Sequence, residues 1–238
     1  MKALRIIAIV VAVLSILVLA FAGPGTRLGL WTFGTGLGLL RWAALIGIAG
    51  IVLTLLALIV TRPRGAGLGA LVVALLLAGV AFFVPWRSLQ RAKSVPPIHD
   101  ITTDTQDPPE FSAVLALRAD APNSPVYGGE SIAAMQRRAY PEIQPLHLDV
   151  ATDTAFERAL ATAREMGWKI VSVDHTHGRI EATATTPWFG FKDDVVVRIR
   201  PDNGGSRVDV RSESRVGGSD VGTNAARIRA YLKRLKES

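Results

Sequence analysis

The sequence predicts an α-helical membrane region of three spans, followed by an α+β domain in which helices cover one face of an antiparallel sheet. Two observations support this fold class. Three long apolar runs fill roughly the first third of the chain, and the C-terminal part alternates between strand-like and helix-like hydrophobic patterns. The predicted boundaries are 1–93 for a three-span anchor, 94–110 for a proline-rich connector and 111–238 for a soluble domain.

Each apolar run is long enough to cross a bilayer: Ile6–Ala22, Trp42–Val60 and Leu68–Val84, the last closed by Pro85. At a rise of about 1.5 Å per residue, each run covers about 25–29 Å, close to the thickness of the hydrocarbon core. Because a backbone in lipid must satisfy its own hydrogen bonds, each run is predicted to be a helix. The runs contain no Asp, Glu, His or Lys, which disfavours ion-coupled transport and favours an anchor.

The glycine-rich segment 23–40 separates the first two runs. We interpret it as a loop, which is either flexible or an interfacial or re-entrant loop. The two Gly-x-x-x-Gly spacings within it, Gly25 to Gly29 and Gly34 to Gly38, are typical of close packing between helices.

Charge is distributed unevenly along the 238 residues. All 20 acidic residues lie after Pro97 together with 18 of the 27 Lys and Arg, so that part carries a net charge of −2. The first 97 residues carry the other nine basic residues, and this charge of +9 flanks the apolar runs, where Lys and Arg meet lipid headgroups. The lipid bilayer is therefore an expected partner. Nucleic acid is not, because the folded domain is not basic.

The orientation in the membrane follows from the same basic residues. Four lie on the side of the N-terminus (Lys2, Arg5, Arg62 and Arg64), and five on the other (Arg27, Arg41, Arg87, Arg91 and Lys93). Short loops obey the positive-inside rule best, so the tight loop 61–65 and the chain start carry the most weight. We expect a multi-pass protein of the cytoplasmic (inner) membrane, with its soluble domain on the extracytoplasmic, periplasmic side of the cell envelope.

The soluble domain is predicted to follow the order β-α-β-β-β-β-α, with a further short helix at 130–139. Strands are predicted at 146–150, 168–174, 178–185, 194–200 and 207–213, with tight turns at 175–178 and 202–205. A helix capped by Thr152 or Asp153 is expected to end at Gly167, and the last helix covers 224–236.

Metal and cofactor chemistry is not expected. The chain has no cysteine, which excludes disulfides and thiolate sites. His175 and His177 are too few ligands for a metal. The sequence contains no Walker loop, no Gly-x-Ser-x-Gly elbow and no His-Glu-x-x-His helix.

Two segments are richer in polar and aromatic residues than a scaffold requires. Residues 187–194 read Pro-Trp-Phe-Gly-Phe-Lys-Asp-Asp, and residues 211–224 read Arg-Ser-Glu-Ser-Arg-Val-Gly-Gly-Ser-Asp-Val-Gly-Thr-Asn. The candidate ligand-binding residues come from these segments and from the helix that follows: Trp188, Phe189, Phe191, Asp193, Asp194, Arg211, Ser214, Arg215, Ser219, Asp220, Asn224 and Arg227. The aromatic residues either line a pocket or cover one end of the sheet.

Two interpretations of the polar residues remain open. In the first, the N-terminus of the last helix attracts an anion, to which Arg215 and Arg227 add bidentate contacts. In the second, Asp193, Asp194 or Asp220 neutralises the arginines internally, and Ser219 or Thr223 caps the helix. Because a hairpin joins the two strands concerned, we expect both arginines to face one polar site at one end of the sheet.

These segments, together with 104–111 and 140–146, resemble the family catalogued as domain of unknown function 1499, over roughly Ile101 to Leu235. The run Arg-Ser-x-Ser-Arg-x-Gly-x-Ser-Asp-x-Gly-x-Asn is its most specific part. The resemblance implies a bacterial envelope or plastid-type context, often with membrane spans ahead of the domain, and no assigned activity. This chain departs from the pattern at Pro122-Asn123-Ser124, where Asn-Cys is expected in many members.

The leading hypothesis is a membrane-anchored module that binds a ligand or a protein and has no enzymatic activity, with an envelope protein or a small anionic molecule as its partner. The alternative is a hydrolase-like enzyme acting on an anionic envelope substrate, with Asp193 or Asp194 as base and Arg215 stabilising the anion. Successive strand residues point to opposite faces, so Asp193 and Asp194 are a poor catalytic pair. An open cleft with converging arginine and carboxylate would favour the enzyme, and mutually paired charges would favour the module.

Overall fold

The structure, a computed structural model, describes residues 2–238. It divides into two compact units. The first contains the chain up to Arg91 together with Pro187–Gly190, and the second contains Ala92–Thr186 together with Phe191–Ser238.

Three long helices dominate the first unit: α1 (Lys2–Arg27), α2 (Phe33–Thr61) and α3 (Ala66–Ser94), whose last residues belong to the second unit. Each is long and apolar enough to span a membrane. Each also contains one of the three predicted apolar runs, so the prediction of a three-helix membrane region is confirmed.

Two boundaries differ from the predictions because Gly and Pro were taken as helix breakers. Most of the segment 23–40, predicted to be a loop, is helical, and only residues 28–32 separate α1 from α2. Helix α3 continues through Pro85 to Ser94 instead of closing there. Membrane helices tolerate both residues, since proline removes only one donor and glycine permits close packing. A Cβ on Gly47 of α2, for example, would lie only 2.9 Å from the carbonyl oxygen of Ala78 in α3.

The second unit is built on a six-stranded antiparallel sheet. Its strands are β1 (Asp100–Thr102), β2 (Leu146–Leu148), β3 (Lys169–Asp174), β4 (Arg179–Thr185), β5 (Lys192–Asp202) and β6 (Gly205–Ser214). The order is β1-β6-β5-β4-β3, and β2 also pairs with β6. The helices are α4 (Gly129–Ala139), α5 (Thr152–Glu165) and α6 (Thr223–Glu237), with a 3₁₀ helix at Ala113–Leu117. The predicted α+β fold is confirmed.

Helices α5 and α6 cover one face of this sheet. Phe156 and Leu160 of α5 and Ile228 of α6 share an apolar core with Val197 of β5 and Val210 of β6. At the centre of the core the Tyr231 ring stacks on Trp168 at 4.9 Å, and its hydroxyl donates to the carbonyl of Ala159 at 2.8 Å. This packing holds α6 against the strands that carry the candidate site.

Two details of the domain differ from the sequence-based expectation. Part of the segment 94–110, interpreted as a connector, is integral to the fold, because Ile98 and Ile101 lie in the core and β1 pairs with β6. Helix α5 begins at Thr152 with Ala151 at its N-cap and no side-chain cap, so the predicted cap by Thr152 or Asp153 does not form. Gly167 (φ 71°) follows the helix, as expected for a C-terminal glycine.

Candidate functional site

The face of the sheet that points away from α5 and α6 carries charged side chains. Alternation along β5 and β6 turns Asp194, Asp209, Arg211 and Glu213 to this face, and all four are buried. Residues 103–128, which we name the covering segment, lie over it. Phe111 and Val114 of this segment pack on Val196 of β5 and are buried there. Charges are therefore enclosed between the sheet and the covering segment, and each needs a partner.

All three guanidinium nitrogens of Arg211 donate hydrogen bonds. Its Nε and Nη2 donate to the two carboxylate oxygens of Asp100 at 2.9 and 2.8 Å. Its guanidinium also donates to the carbonyls of Pro109 and Pro125 and lies 4.7 Å from the ring centre of Phe111. Burial raises the pKa of the Asp100 carboxyl, although the hydrogen bond and charge of Arg211 oppose the rise. Arg211 therefore ties the covering segment to the sheet.

Asp194 accepts four hydrogen bonds. Arg215 donates to both of its oxygens at 2.9 and 2.8 Å, Arg118 donates from Nη1 at 2.7 Å, and the Thr183 hydroxyl donates at 2.8 Å. Arg118 also donates from Nη2 to Oε1 of Glu213 at 2.8 Å. One guanidinium from the covering segment thus joins two buried carboxylates on adjacent strands.

Glu213 is only partly satisfied within this network. Its Oε2 is buried and has no hydrogen-bond partner within residues 2–238. Burial, together with the nearby Asp100 carboxylate, raises the pKa of Glu213 to about 8, against the lowering effect of Arg118 and Arg211. Glu213 therefore binds a proton over part of the neutral pH range.

Asp193 lies on the opposite face of the sheet, against α6. Arg227 donates from Nη2 to Asp193 Oδ2 at 2.5 Å and from Nη1 to the Ser212 hydroxyl at 2.9 Å. Asn224, which also accepts from Arg227, donates to Ser214 Oγ at 3.0 Å. This cluster belongs to the interface between α6 and the sheet.

The two candidate arginines thus lie at the same end of the sheet but on opposite faces. Arg215 pairs with Asp194, and Arg227 pairs with Asp193. The expectation that both face one polar site is wrong, because their partners are successive residues of β5 and point in opposite directions. The structure contains two separate clusters.

The N-terminus of α6 is filled by a side chain of the protein. Asp220 accepts hydrogen bonds from the backbone N–H of Gly222 at 2.8 Å and of Asn224 at 2.6 Å. Burial raises the pKa of the Asp220 carboxyl despite these hydrogen bonds. Ser219, one of the two expected caps, instead accepts from Val221 N at 3.2 Å. The groups expected to attract an anion are thus bonded to Asp220.

The aromatic candidates are divided between the two units. Trp188 and Phe189 belong to the first unit, and Phe191 to the second. A Cβ built on Gly23 of α1 would lie 2.4 Å from Trp188 Cδ1, and one built on Gly36 of α2 would lie 3.1 Å from Phe189 Cε1. Trp188 and Phe189 therefore pack closely on glycines of the membrane helices.

Sequence reasoning missed several residues of the charged face. Asp100 lies in the segment interpreted as a connector, and neither Arg118 nor Glu181 was among the candidate residues. Glu181 is fully buried and accepts hydrogen bonds from the backbone N–H groups of Ser112 and Ala113 at 3.1 Å and of Val114 at 3.0 Å. The signal that could have identified these residues is the high density of charged residues on one face of β4, β5 and β6. This density is greater than the solubility of an exposed face requires.

The departure from the family pattern lies beside this network. Asn123 donates to the carbonyls of Ser214 at 2.8 Å and Gly217 at 2.9 Å, so it fixes the end of β6. Ser124 and His99 line a cleft of about 290 Å³, but no hydrogen bond joins their side chains in the part of the chain that the structure describes. Over the same residues, no group of three or more His, Cys, Asp or Glu is arranged to hold a metal ion.

A comparison with curated proteins found no match. A comparison with family models found one, described as "Protein of unknown function (DUF1499)", which matches residues 100–235. The matched region begins at β1 and ends within α6, so it contains the sheet, the covering segment and both charged clusters. The resemblance inferred from the sequence motifs is confirmed, and the chain belongs to the DUF1499 family.

Proposed function

We propose that this protein is a membrane-anchored binding module without enzymatic activity, whose extracytoplasmic domain binds a segment of a protein partner in the cell envelope. The observation that carries the proposal is the mutual pairing of the candidate arginines and carboxylates. These ion pairs stabilise the fold of the domain. A ligand must therefore bind at a different surface.

The pairing argues against the hydrolase-like alternative. A general base needs an oxygen that is free to accept a proton from the nucleophile. Both oxygens of Asp194 accept from Arg215, and one also accepts from Arg118. Asp193 is paired with Arg227. Arg215 in turn donates to Asp194 and to the carbonyl of Leu117, so its guanidinium is committed to the fold.

The surface we propose for binding is a cleft of about 340 Å³ in the covering segment, named here the Val126 cleft. Val126 is 76% exposed and Leu115 is 43% exposed, so the cleft has an apolar rim. Phe111 and Arg211 also line it, and the ion pair with Asp100 holds the Arg211 side chain in place. A preformed cleft with apolar walls suits the apolar side chain of a partner protein.

Tyr127 adds a polar group to this cleft. Its hydroxyl is buried and has no hydrogen-bond partner within residues 2–238. Burial, followed by the charge of Asp100, raises the pKa of Tyr127 to about 12, so the hydroxyl stays protonated and can donate. We propose that the Tyr127 side chain turns towards a bound segment, where a backbone carbonyl accepts a hydrogen bond from its hydroxyl; this favours a peptide over a purely apolar ligand.

Site-specific photocrosslinking of the full-length protein in cells tests the binding surface. We expect a photoreactive amino acid at Val126 to give one discrete protein adduct. The same amino acid at Val173, an apolar position on β3 that is 37% exposed and does not line the cleft, serves as the matched control. Equal crosslinking at both positions, or no adduct at Val126, would contradict the proposal.

The proposed orientation has its own test. A reporter enzyme that is active only outside the cytoplasm, fused after Ser238, is expected to be active, because three spans carry the chain from a cytoplasmic N-terminus to the other side. The control is the same reporter fused in the loop 62–65 between α2 and α3, which should be inactive. The reverse pattern would show that the weight given to Arg62 and Arg64 was wrong.

A further inference from the structure

Helix α3 carries a stripe of exposed apolar side chains that marks its position in a bilayer. The stripe runs at helical spacing through Leu68, Val72, Leu76, Val80, Phe83, Trp86 and Leu89. From Leu68 to Trp86 it extends over about 27 Å, close to the thickness of a hydrocarbon core of about 30 Å. Trp86 near its end is typical of the membrane–water interface.

Lys93 follows this stripe by one helical turn. The rise from Trp86 to Lys93 is about 10 Å, and the headgroup layer beyond the hydrocarbon is about 5–7 Å thick. Because side chains of a helix tilt towards its N-terminus, the Lys93 side chain extends back along α3 and brings its ammonium group to the lipid headgroups.

A cleft of about 400 Å³ opens at this position. Lys93 and Val95 line one part of it, and Met135 and Arg138 of α4 line another. None of the described residues that line the cleft is acidic. Its walls therefore combine two cations with apolar surface.

Neither cation is neutralised by the protein. Lys93 and Arg138 are both exposed, and within residues 2–238 neither forms an ion pair. Arg137, the neighbour of Arg138 in the last turn of α4, differs because it pairs with Glu130. Two unneutralised cations beside an apolar wall are complementary to a phosphate that carries an apolar chain.

We propose that this cleft binds the phosphate headgroup of an anionic phospholipid from the leaflet at the C-terminal end of α3. Lys93 and Arg138 contact the phosphate oxygens, and Val95, Pro96 and Met135 contact the glycerol and upper acyl chain. The headgroup depth of Lys93 and the apolar wall favour a lipid over free phosphate. This site is separate from the Val126 cleft and does not depend on the proposed protein partner.

The test measures lipid retention by native mass spectrometry of the full-length protein, purified from vesicles with equal parts of phosphatidylglycerol and phosphatidylcholine. Wild type is expected to retain phosphatidylglycerol preferentially. In the double variant Lys93→Gln/Arg138→Gln, the preference for phosphatidylglycerol should be about 25-fold lower. The reason is that each cation near a membrane surface raises the affinity for an anionic lipid about five-fold. Both residues are exposed, so the fold should tolerate the change.

Arg137→Gln is the matched control, because it removes the same charge from the same turn of α4 without changing the cleft lining. It should behave as wild type. Equal retention of the two lipids by wild type, or equal losses in Arg137→Gln and the double variant, would overturn the proposal. Displacement of the lipid by an equimolar amount of inorganic phosphate would identify a free-phosphate site and would also overturn it.

Discussion

Replacing Arg211 with alanine is expected to lower the free energy of unfolding of the domain by about 3–5 kcal/mol. Arg211 is 2% exposed and provides the guanidinium that pairs with buried Asp100. The substitution leaves the Asp100 carboxylate without its bidentate partner and removes the contacts to Pro109 and Pro125. It also removes the cation that lies over Phe111. Urea unfolding of the detergent-solubilised full-length protein, followed by pulse proteolysis, measures the loss.

Arg137→Ala is the matched control for this measurement. Arg137 also forms an ion pair with a carboxylate, that of Glu130, but both side chains are exposed to solvent. An exposed pair contributes between about 0 and 1 kcal/mol, so this variant should unfold close to wild type. Equal losses in the two variants would show that the Arg211–Asp100 pair is solvated and that the covering segment does not enclose it.

The free energy of unfolding is expected to decrease as the pH rises from about 4.5 to about 8. Glu213 has its pKa raised from 4.5 to about 8 in the folded domain, mainly by burial. Between these values the folded state holds a proton that the unfolded state has released. The stabilisation is therefore complete below pH 4.5 and is lost as the pH rises to 8, with a slope of up to about 1.4 kcal/mol per pH unit.

The variant Glu213→Gln tests the assignment of this slope to Glu213. The amide is close in shape to the protonated carboxyl and keeps an oxygen that accepts from Arg118. The variant should show a flatter pH profile and higher stability than wild type near pH 8. The pKa values of Asp100 and Asp220 are also raised, so these groups too lower the free energy of unfolding as the pH rises. The pH profile of the variant should therefore keep a small slope. An unchanged profile in Glu213→Gln would assign the titration to another group.

Much of the fold could be predicted from the sequence because it depends on local periodicity. The three apolar runs, the alternation along β5 and β6 and the apolar stripe of α6 are signals within single segments. The same alternation indicated that Asp193 and Asp194 would point to opposite faces. The placement of Arg211 and Glu213 on one face of β6, with Ser212 and Ser214 on the other, follows from the same period of two.

The enclosed charged face could not be predicted, because it depends on contacts between segments that are distant in sequence. Arg118 meets Asp194 and Glu213 only because residues 103–128 fold back over the sheet, and no periodic pattern encodes that path. The glycines of segment 23–40 led to the wrong prediction of a loop for a related reason. In α2 glycine allows close helix packing, a property of the neighbouring helix and not of the local sequence.

The most direct test of the central claim measures the crosslinking yield at Val126 in the full-length protein. The yield is compared between substitutions in the charged clusters and a substitution in the Val126 cleft. We expect Asp193→Asn and Asp194→Asn to keep the wild-type yield per protease-resistant molecule, because these carboxylates act only within the fold. Leu115→Glu should abolish the adduct, since it places a charge on the apolar rim of the Val126 cleft. Loss of the adduct in folded Asp193→Asn or Asp194→Asn, with full yield in Leu115→Glu, would contradict the assignment of binding to this cleft.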